Sequence, residues 1–273
     1  MTRLPRNGAC CPDRQPAPPP DDADQLLSRR RLLGGAAALG GALVTGAAGL
    51  ALPGAAAAAV QQPRLHDRAA WRARRPTHAI DVLDRAPDRI VVHHTATANA
   101  KDLSVAHAYD LSRTIQGWHM DNNDWWDIGQ QLTISRGGHV MEGRSRTLSA
   151  IRTGRHVVGA HVADENSHTI GIENEGLYTK RTPTDELLAS LVETMAWLCD
   201  TYLLDPYQAI VGHRDYNATE CPGEVLYDML PELRDRVAAA MGQRPDPKRT
   251  VRRPHRDGPF PPSRGRFDHG PAV

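Results

Sequence analysis

Short apolar runs alternate with longer segments of helical periodicity through the middle of the chain. Runs of this length, bounded by polar and turn-forming residues, are typical of short strands. Five of them predict strands: Ile90–Val92, Gln131–Ser135, His139–Glu142, Thr169–Glu173 and Ala209–Gly212. The second and third flank Arg136-Gly137-Gly138, which predicts a hairpin.

Three longer segments carry apolar residues at helical spacing: Asp102–Gln116, Asp185–Tyr202 and Glu224–Met241. Thr184 precedes the second segment as a candidate N-cap, and Pro231 interrupts the third. Strands that alternate with helices, together with one hairpin, predict a single α/β domain with a central mixed β-sheet flanked by helices.

Both ends of the chain differ in composition from this core. Residues 1–27 are rich in Pro and Asp, and Arg29-Arg30 then precede an uncharged stretch from Leu32 to about Leu52. Small residues follow, with cleavage options at 55–60, so 1–59 is predicted to be a twin-arginine-type signal region with a disordered n-region. The alternative is a retained membrane anchor, because the stretch is long enough to span. Residues 243–273 predict a disordered Pro/Arg-rich tail, which leaves 60–242 as the folded domain.

Net charge narrows the function classes. The chain has 33 basic and 32 acidic residues, hence a formal charge of +1, and lacks the basic excess of a nucleic-acid-binding protein. We therefore expect no nucleic-acid partner. The signal region predicts a protein that is secreted or associated with the cell wall, and its only membrane contact would be an uncleaved signal segment. We also expect a monomer.

The segment VGHRDYNATECPG at 211–223 predicts part of a zinc site. Cys221 follows His213 by eight residues, and the Pro-Gly pair behind it indicates a turn. An imidazole and a thiolate brought together by a loop are typical zinc ligands, but two do not suffice. His93 and His94 end the first predicted strand and are the obvious source of a third ligand. Since side chains alternate along a strand, only one of the two can point at the metal.

Eight segments in the same order resemble one known family: DRAAWRARRP at 67–76, IVVHHTAT at 90–97, TIQGWHM at 114–120, WWDIG at 125–129, MEGR at 141–144, VGAH at 158–161, SHTIGIENEG at 167–176 and GHRDYNATECPGEVLY at 212–227. The family is the zinc-dependent (type 2) N-acetylmuramoyl-L-alanine amidases with the peptidoglycan recognition proteins. The resemblance implies Zn²⁺ in a surface groove, ligands His93, His213 and Cys221, and peptidoglycan or muropeptides as partners. It favours zinc at Cys221 over a disulfide with Cys199, the other cysteine outside the signal region.

The catalytic group is where the chain departs from one branch of the family. Recognition-protein and phage amidases usually carry a tyrosine after DIG, whereas this chain has Gln130, which cannot act as a base. IGIENEG at 170–176 resembles the cytosolic anhydro-muropeptide amidases, in which the first glutamate is the catalytic acid/base. That position is Glu173 here, and alternation places it opposite the core-facing Ile170 and Ile172. The alternative is a surface carboxylate on a strand edge.

Further positions follow from the same resemblance. Thr219, two residues before Cys221, is a candidate donor to the oxyanion. His119 and His161 match groove positions and are candidate substrate contacts, although packed histidines would give the same pattern. Arg144 would pair either with a substrate carboxylate or with Glu142 in the fold.

These residues predict an exported zinc hydrolase that cleaves the amide bond between N-acetylmuramic acid and L-alanine of peptidoglycan. Zinc-bound water would be the nucleophile and Glu173 the general base and acid. The first alternative is a non-catalytic peptidoglycan-binding module that retains zinc, and Gln130 supports it. The second is a membrane-anchored wall protein with a structural zinc.

Overall fold

The computed structural model describes residues 60–244. The predicted signal region 1–59 and residues 245–273 of the predicted tail lie outside the described residues, so those two predictions stay predictions.

A six-stranded mixed sheet forms the centre of the domain, in the order β1-β5-β4-β7-β3-β8. Its strands are β1 Leu65–His66, β3 Arg89–His94, β4 Leu132–Ile134, β5 Val140–Glu142, β7 Thr169–Asn174 and β8 Ile210–Gly212. Only the β4–β5 hairpin is antiparallel, and the other neighbouring strands pair in parallel. Two further strands, β2 Val82–Leu83 and β6 His156–Val157, pair with each other in a small antiparallel sheet. The predicted mixed sheet and its hairpin are confirmed.

Six α-helices connect and cover the strands: α1 Val105–Gly117, α2 Thr147–Arg152, α3 Asp185–Tyr202, α4 Pro206–Ala209, α5 Glu224–Asp228 and α6 Leu230–Ala240. The longest, α3, has the predicted bounds, and the Thr184 hydroxyl caps it by accepting from the backbone N–H of Leu187. The last predicted helix is divided into α5 and α6. Pro231 lies in the first turn of α6, where its missing N–H breaks no helical hydrogen bond.

The two faces of the sheet have different roles. On one face Ile90, Val92, Ile170 and Ile172 are buried in a cluster with apolar residues of α3 and α6. Burial of each such side chain stabilises the fold by about 1.5–3 kcal/mol. The other face carries Val91 and the side chains that share its orientation, which include the candidate site residues at the strand ends. The large core on the first face therefore fixes which side chains the second face presents.

The carboxylate of Asp127 joins three segments on the site face. It accepts hydrogen bonds from the side chains of Arg68 and Gln116, at 3.1 and 2.9 Å. It also accepts from the backbone N–H groups of Ile128 and Ser145, both at 2.8 Å. A fully buried carboxylate with four donors is well satisfied, and it holds the loop after α1 in place.

Within 60–244, no helix combines the length and apolar character needed to cross a membrane.

The imidazole of His168 links two loops at the start of β7. Its Nδ1 lies 2.7 Å from Asp88 and its Nε2 lies 2.5 Å from Glu165. Desolvation lowers the pKa of His168, but hydrogen bonds to the Asp88 and Glu165 carboxylates outweigh it and raise the pKa above 6.5. The charged imidazole is therefore favoured in the folded protein.

We expect the stabilisation from His168 to depend on pH. Because its folded-state pKa is raised, the contribution is complete below the unfolded pKa and is lost as pH rises through the folded pKa. The measurement is the difference in Tm between the unchanged protein and His168→Gln, from about pH 5 to about pH 8. His78→Gln, at an exposed histidine stacked on Trp126, is the matched control. A His168→Gln difference that does not change with pH would contradict this prediction.

Candidate metal centre and catalytic groups

The ends of β3 and β8 and the loop behind β8 bring His93, His213 and Cys221 together. Their candidate ligand atoms all lie within 4.8 Å of one another, and all three residues are buried. The Nδ1 atom of His93 lies 3.6 Å from the Sγ atom of Cys221. A tetrahedral zinc with bonds of about 2.0–2.1 Å to nitrogen and about 2.3 Å to sulfur would separate those two ligand atoms by about 3.6 Å. The donor set and its spacing fit a metal ion of this kind.

His94 turns away from the cluster, as strand alternation requires. Its Nδ1 accepts the backbone N–H of Tyr178 at 3.3 Å, on the opposite face of β3. Its backbone N–H faces the cluster and lies 3.4 Å from the Cys221 sulfur. That donor stabilises negative charge on the sulfur, which is the form that binds metals.

The loop that carries Cys221 is fixed by hydrogen bonds on both sides. The Cys221 N–H donates to the Thr219 hydroxyl at 3.2 Å, and the Arg214 N–H donates to the Cys221 carbonyl at 3.0 Å. Cys199 and Cys221 are not joined by a disulfide in the described part of the chain, so the disulfide alternative is not seen there. Cys199 is buried in α3, and desolvation raises its pKa to about 12.

Glu173 lies beside the cluster on the neighbouring strand. It is the register partner of His93 in the parallel pair β3–β7, so both side chains project from the same face. Neighbouring strands are about 4.8 Å apart, and the carboxylate is therefore a lateral neighbour of the His93 ring. Glu173 is buried rather than exposed on a strand edge.

Gln130, which follows Asp127-Ile128-Gly129, is hydrogen-bonded to the same group of polar residues. It is buried, and its Nε2 donates to the Thr133 hydroxyl at 2.9 Å. Thr133 is in turn the register partner of Glu173 across β4–β7. Across β4, β7 and β3 the order is thus Thr133, Glu173 and His93, and Gln130 joins this row through its hydrogen bond to Thr133. The sequence did not indicate Thr133 as a site residue, because only the order of the strands in the sheet places it next to Glu173.

The ring of His161 contacts a candidate ligand. Its Nδ1 lies 3.0 Å from Nε2 of His93, and its own Nε2 lies 3.2 Å from the Thr169 carbonyl. Desolvation, together with a smaller contribution from the nearby His213, lowers the pKa of His161 to about 3, so the ring is neutral. A Cβ atom at Gly171 would lie 2.7 Å from this ring, which explains the glycine in the middle of β7.

Asn217 has the corresponding place beside His213. Its Oδ1 lies 3.0 Å from Nε2 of His213, within the same loop. The sequence patterns did not single out Asn217 as a site residue. Its position four residues after the candidate ligand His213 could have indicated a contact with that ring.

The other predicted residues are placed around this centre. His119 accepts the Gly129 N–H through Nδ1 at 3.0 Å and stacks on Trp125. Arg144 is buried and donates to the Ile128 carbonyl at 3.0 Å, and desolvation lowers its pKa to about 10. The substrate-binding roles predicted for His119, His161 and Arg144 stay predictions.

An α/β domain with two imidazoles and a thiolate around one point, and a carboxylate on the adjacent strand, defines a candidate metal-dependent hydrolase or a binding protein derived from one. The family model described as N-acetylmuramoyl-L-alanine amidase (Amidase_2) matches residues 83–224, which is more than half of the chain. The chain belongs to this family.

Relatives in the family include amidases and recognition proteins. The chain is 30% identical over 200 residues to the human N-acetylmuramoyl-L-alanine amidase, covering 73% of this chain and 33% of that protein. It is 33% identical over 160 residues to a peptidoglycan recognition protein of Trichoplusia ni, covering 59% and 81%. It is 31% identical over 184 residues to peptidoglycan-recognition protein SD of Drosophila melanogaster, covering 67% and 92%. The chain thus spans about a third of the human amidase but most of the recognition proteins.

Solved structures share the fold. Drosophila peptidoglycan recognition protein SD is 29% identical with a TM-score of 0.55, over 63% of this chain and 95% of that one. Peptidoglycan recognition protein-LE, solved in complex with tracheal cytotoxin, a monomeric diaminopimelic acid-type peptidoglycan, is 27% identical with a TM-score of 0.53, over 62% and 92%. An endolysin amidase of Clostridium intestinale, at 20% identity, has a TM-score of 0.50 over 68% and 99% and supports the fold alone.

Proposed function

We propose that the chain is an exported zinc amidase that hydrolyses the amide bond between the lactyl group of N-acetylmuramic acid and L-alanine of peptidoglycan. The observation that carries this proposal is the complete ligand cluster with Glu173 directly beside it in the β3–β7 register. Export by the twin-arginine route rests on the sequence of residues 1–59.

Zinc is the metal that the donor set favours. Two imidazoles and one thiolate are borderline and soft donors, and three protein ligands are the number typical of catalytic rather than structural zinc sites. When bound there, zinc supplies a Lewis acid that acidifies water and polarises a carbonyl group.

Glu173 then moves the proton. Its carboxylate accepts a proton from the attacking water as the water oxygen bonds to the scissile carbonyl carbon. It returns that proton to the nitrogen of L-alanine as the carbon–nitrogen bond breaks. The products are the lactyl carboxylic acid on the sugar and a stem peptide with a free amino terminus.

Thr219 is suited to stabilise the oxyanion. Its hydroxyl oxygen accepts the Cys221 N–H, which fixes the position of the side chain and leaves the hydroxyl hydrogen to be donated. A donor aimed at the developing negative charge stabilises the tetrahedral intermediate.

A muropeptide substrate is supported by the relatives. Peptidoglycan recognition protein-LE, which shares the fold at 27% identity, was solved with a muropeptide bound. Export would place this chain where peptidoglycan is found.

A non-catalytic recognition protein that retains a metal is the second candidate, and one observation favours it. Gln130 occupies the position where recognition-protein and phage amidases usually carry a tyrosine; its amide cannot act as a base, and its Nε2 donates to the Thr133 hydroxyl. Several relatives are named as recognition proteins. In this case the cluster would bind zinc without hydrolysing the amide bond.

One experiment separates the two candidates. Purified full chain, loaded with zinc, is incubated with muropeptides, and mass spectrometry is used to detect stem peptide with a free L-alanine amino terminus. We expect release that a chelator abolishes and added zinc restores. Binding of muropeptide without any release would reject the amidase and support the recognition protein.

A further inference from the structure

Hydrogen bonding fixes which nitrogen of the His161 ring carries a proton. Its Nε2 faces the Thr169 carbonyl at 3.2 Å, and a carbonyl oxygen can only accept. Nε2 therefore carries the hydrogen of the ring, and Nδ1 faces His93 as the acceptor. The His93 Nε2 atom, 3.0 Å from that acceptor, must then donate. His93 is held as the Nε2–H tautomer, with the lone pair of Nδ1 directed at Cys221.

A second, independent contact fixes the tautomer of His213. The backbone N–H of Ala163 donates to Oδ1 of Asn217 at 3.2 Å, which identifies that atom as the amide oxygen. The same oxygen lies 3.0 Å from Nε2 of His213 and can only accept from it. His213 is therefore also an Nε2–H tautomer, and its Nδ1 is the nitrogen left for a metal.

Both contacts originate in one segment, residues 161–169. The side chain of Asn166 closes this segment into a compact loop by accepting the N–H groups of His161 and Val162, at 2.7 and 3.1 Å. Its amide nitrogen donates back to the Val162 carbonyl at 2.6 Å. The loop thus supplies His161 to one candidate ligand, and the Ala163 N–H orients Asn217 against the other.

We propose that His161 and Asn217 are positioning residues, which the 161–169 loop holds in place so that His93 and His213 both present Nδ1 to the metal. This inference rests on the metal-binding part of the proposed function and is independent of whether hydrolysis follows. Groups that hold the second nitrogen of a ligating histidine fix the ring orientation and increase metal affinity. The roles are distinct from substrate contact, because the ring of His161 is directed at His93 and Thr169.

Nuclear magnetic resonance tests the tautomers directly in the unchanged protein. The zinc-loaded full chain is labelled with ¹⁵N-histidine, and the ring signals of its 13 histidines are assigned with single variants. We expect His93 and His161 each to carry a proton on Nε2, with a coupling through the hydrogen bond between His93 Nε2 and His161 Nδ1. A proton on Nδ1 of His161 would overturn the proposal.

A matched pair of variants tests the effect on metal affinity. Leucine and asparagine have nearly the same shape, but only asparagine offers an acceptor near the position of the histidine Nδ1. His161→Leu is expected to weaken zinc binding by about 10- to 100-fold, and His161→Asn by less than about 5-fold. Asn217→Leu and Asn217→Asp form the second pair. We again expect the leucine variant to lose about 10- to 100-fold in zinc affinity and the polar variant less than about 5-fold. Zinc affinity is measured by competition with a chelator, so a lack of amidase activity would not affect the result.

Two outcomes of this experiment would overturn the inference. Equal losses in the leucine and polar variants would assign His161 and Asn217 to packing alone. Unchanged zinc affinity in both leucine variants would exclude any role toward the metal. The spectrum of cobalt-substituted protein adds a further measurement, because a rotated His93 ring alters the metal's ligand field whereas a distant packing change does not.

Discussion

Glu173→Gln is expected to lower kcat/KM for stem-peptide release by about 10²- to 10⁴-fold, which is the usual contribution of a general acid/base. Glutamine keeps the size of the side chain but accepts no proton at neutral pH. Because Glu173 is the register neighbour of His93 and not a member of the ligand cluster, zinc content should not change. The measurements are muropeptide kinetics and metal analysis on the same preparation.

Glu220→Gln is the matched control, since it removes an exposed carboxylate from the loop that carries Cys221. We expect this control to retain nearly full activity and zinc. Full activity in Glu173→Gln would remove Glu173 from the mechanism. Lost activity together with lost zinc would assign the residue to the integrity of the metal site instead.

Cys221→Ser is expected to weaken zinc binding by at least about 100-fold and to abolish chelator-sensitive hydrolysis. Loss of a group that merely orients a ligand costs about 10- to 100-fold in affinity, and here a ligand itself is replaced by a neutral hydroxyl. The serine should leave the loop intact, because the backbone contacts of residue 221 to Thr219 and Arg214 do not involve its side chain. Zinc affinity is again measured by chelator competition.

Cys199→Ser makes the same chemical change at the other described cysteine. Cys199 is buried in α3, among apolar residues on the face of the sheet opposite the cluster. This variant should lose some thermal stability, because a hydroxyl is buried in an apolar core, while zinc affinity remains unchanged. Equal loss of zinc in both variants would point to general destabilisation and against Cys221 as a ligand.

The elements with strong local signals were predictable from the sequence. The helix Asp185–Tyr202 has a capping threonine and a long apolar periodicity, and it occurs with those bounds. The Arg-Gly-Gly hairpin and the strand before His93 are similarly local. The two-residue strands Leu65–His66, Val82–Leu83 and His156–Val157 were missed, because so few residues show no periodicity.

The sequence by itself determined the residue types of the candidate centre and their assignment to a face. Strand alternation decides that only one of His93 and His94 can point at the metal and that Glu173 lies opposite Ile170 and Ile172, because successive side chains point to opposite sides of a pleated strand. Resemblance in the ordered motifs indicated the family.

Only the tertiary structure decided how those residues are held. The sheet order places Thr133 next to Glu173, and the loop at 161–169 brings His161 to His93 across 68 positions of sequence. A hydrogen bond between groups so far apart in the chain produces no periodic pattern in the sequence, because it depends on how two loops run over one sheet. The tautomers of His93 and His213, and thus the atoms they offer to a metal, follow from those long-range contacts.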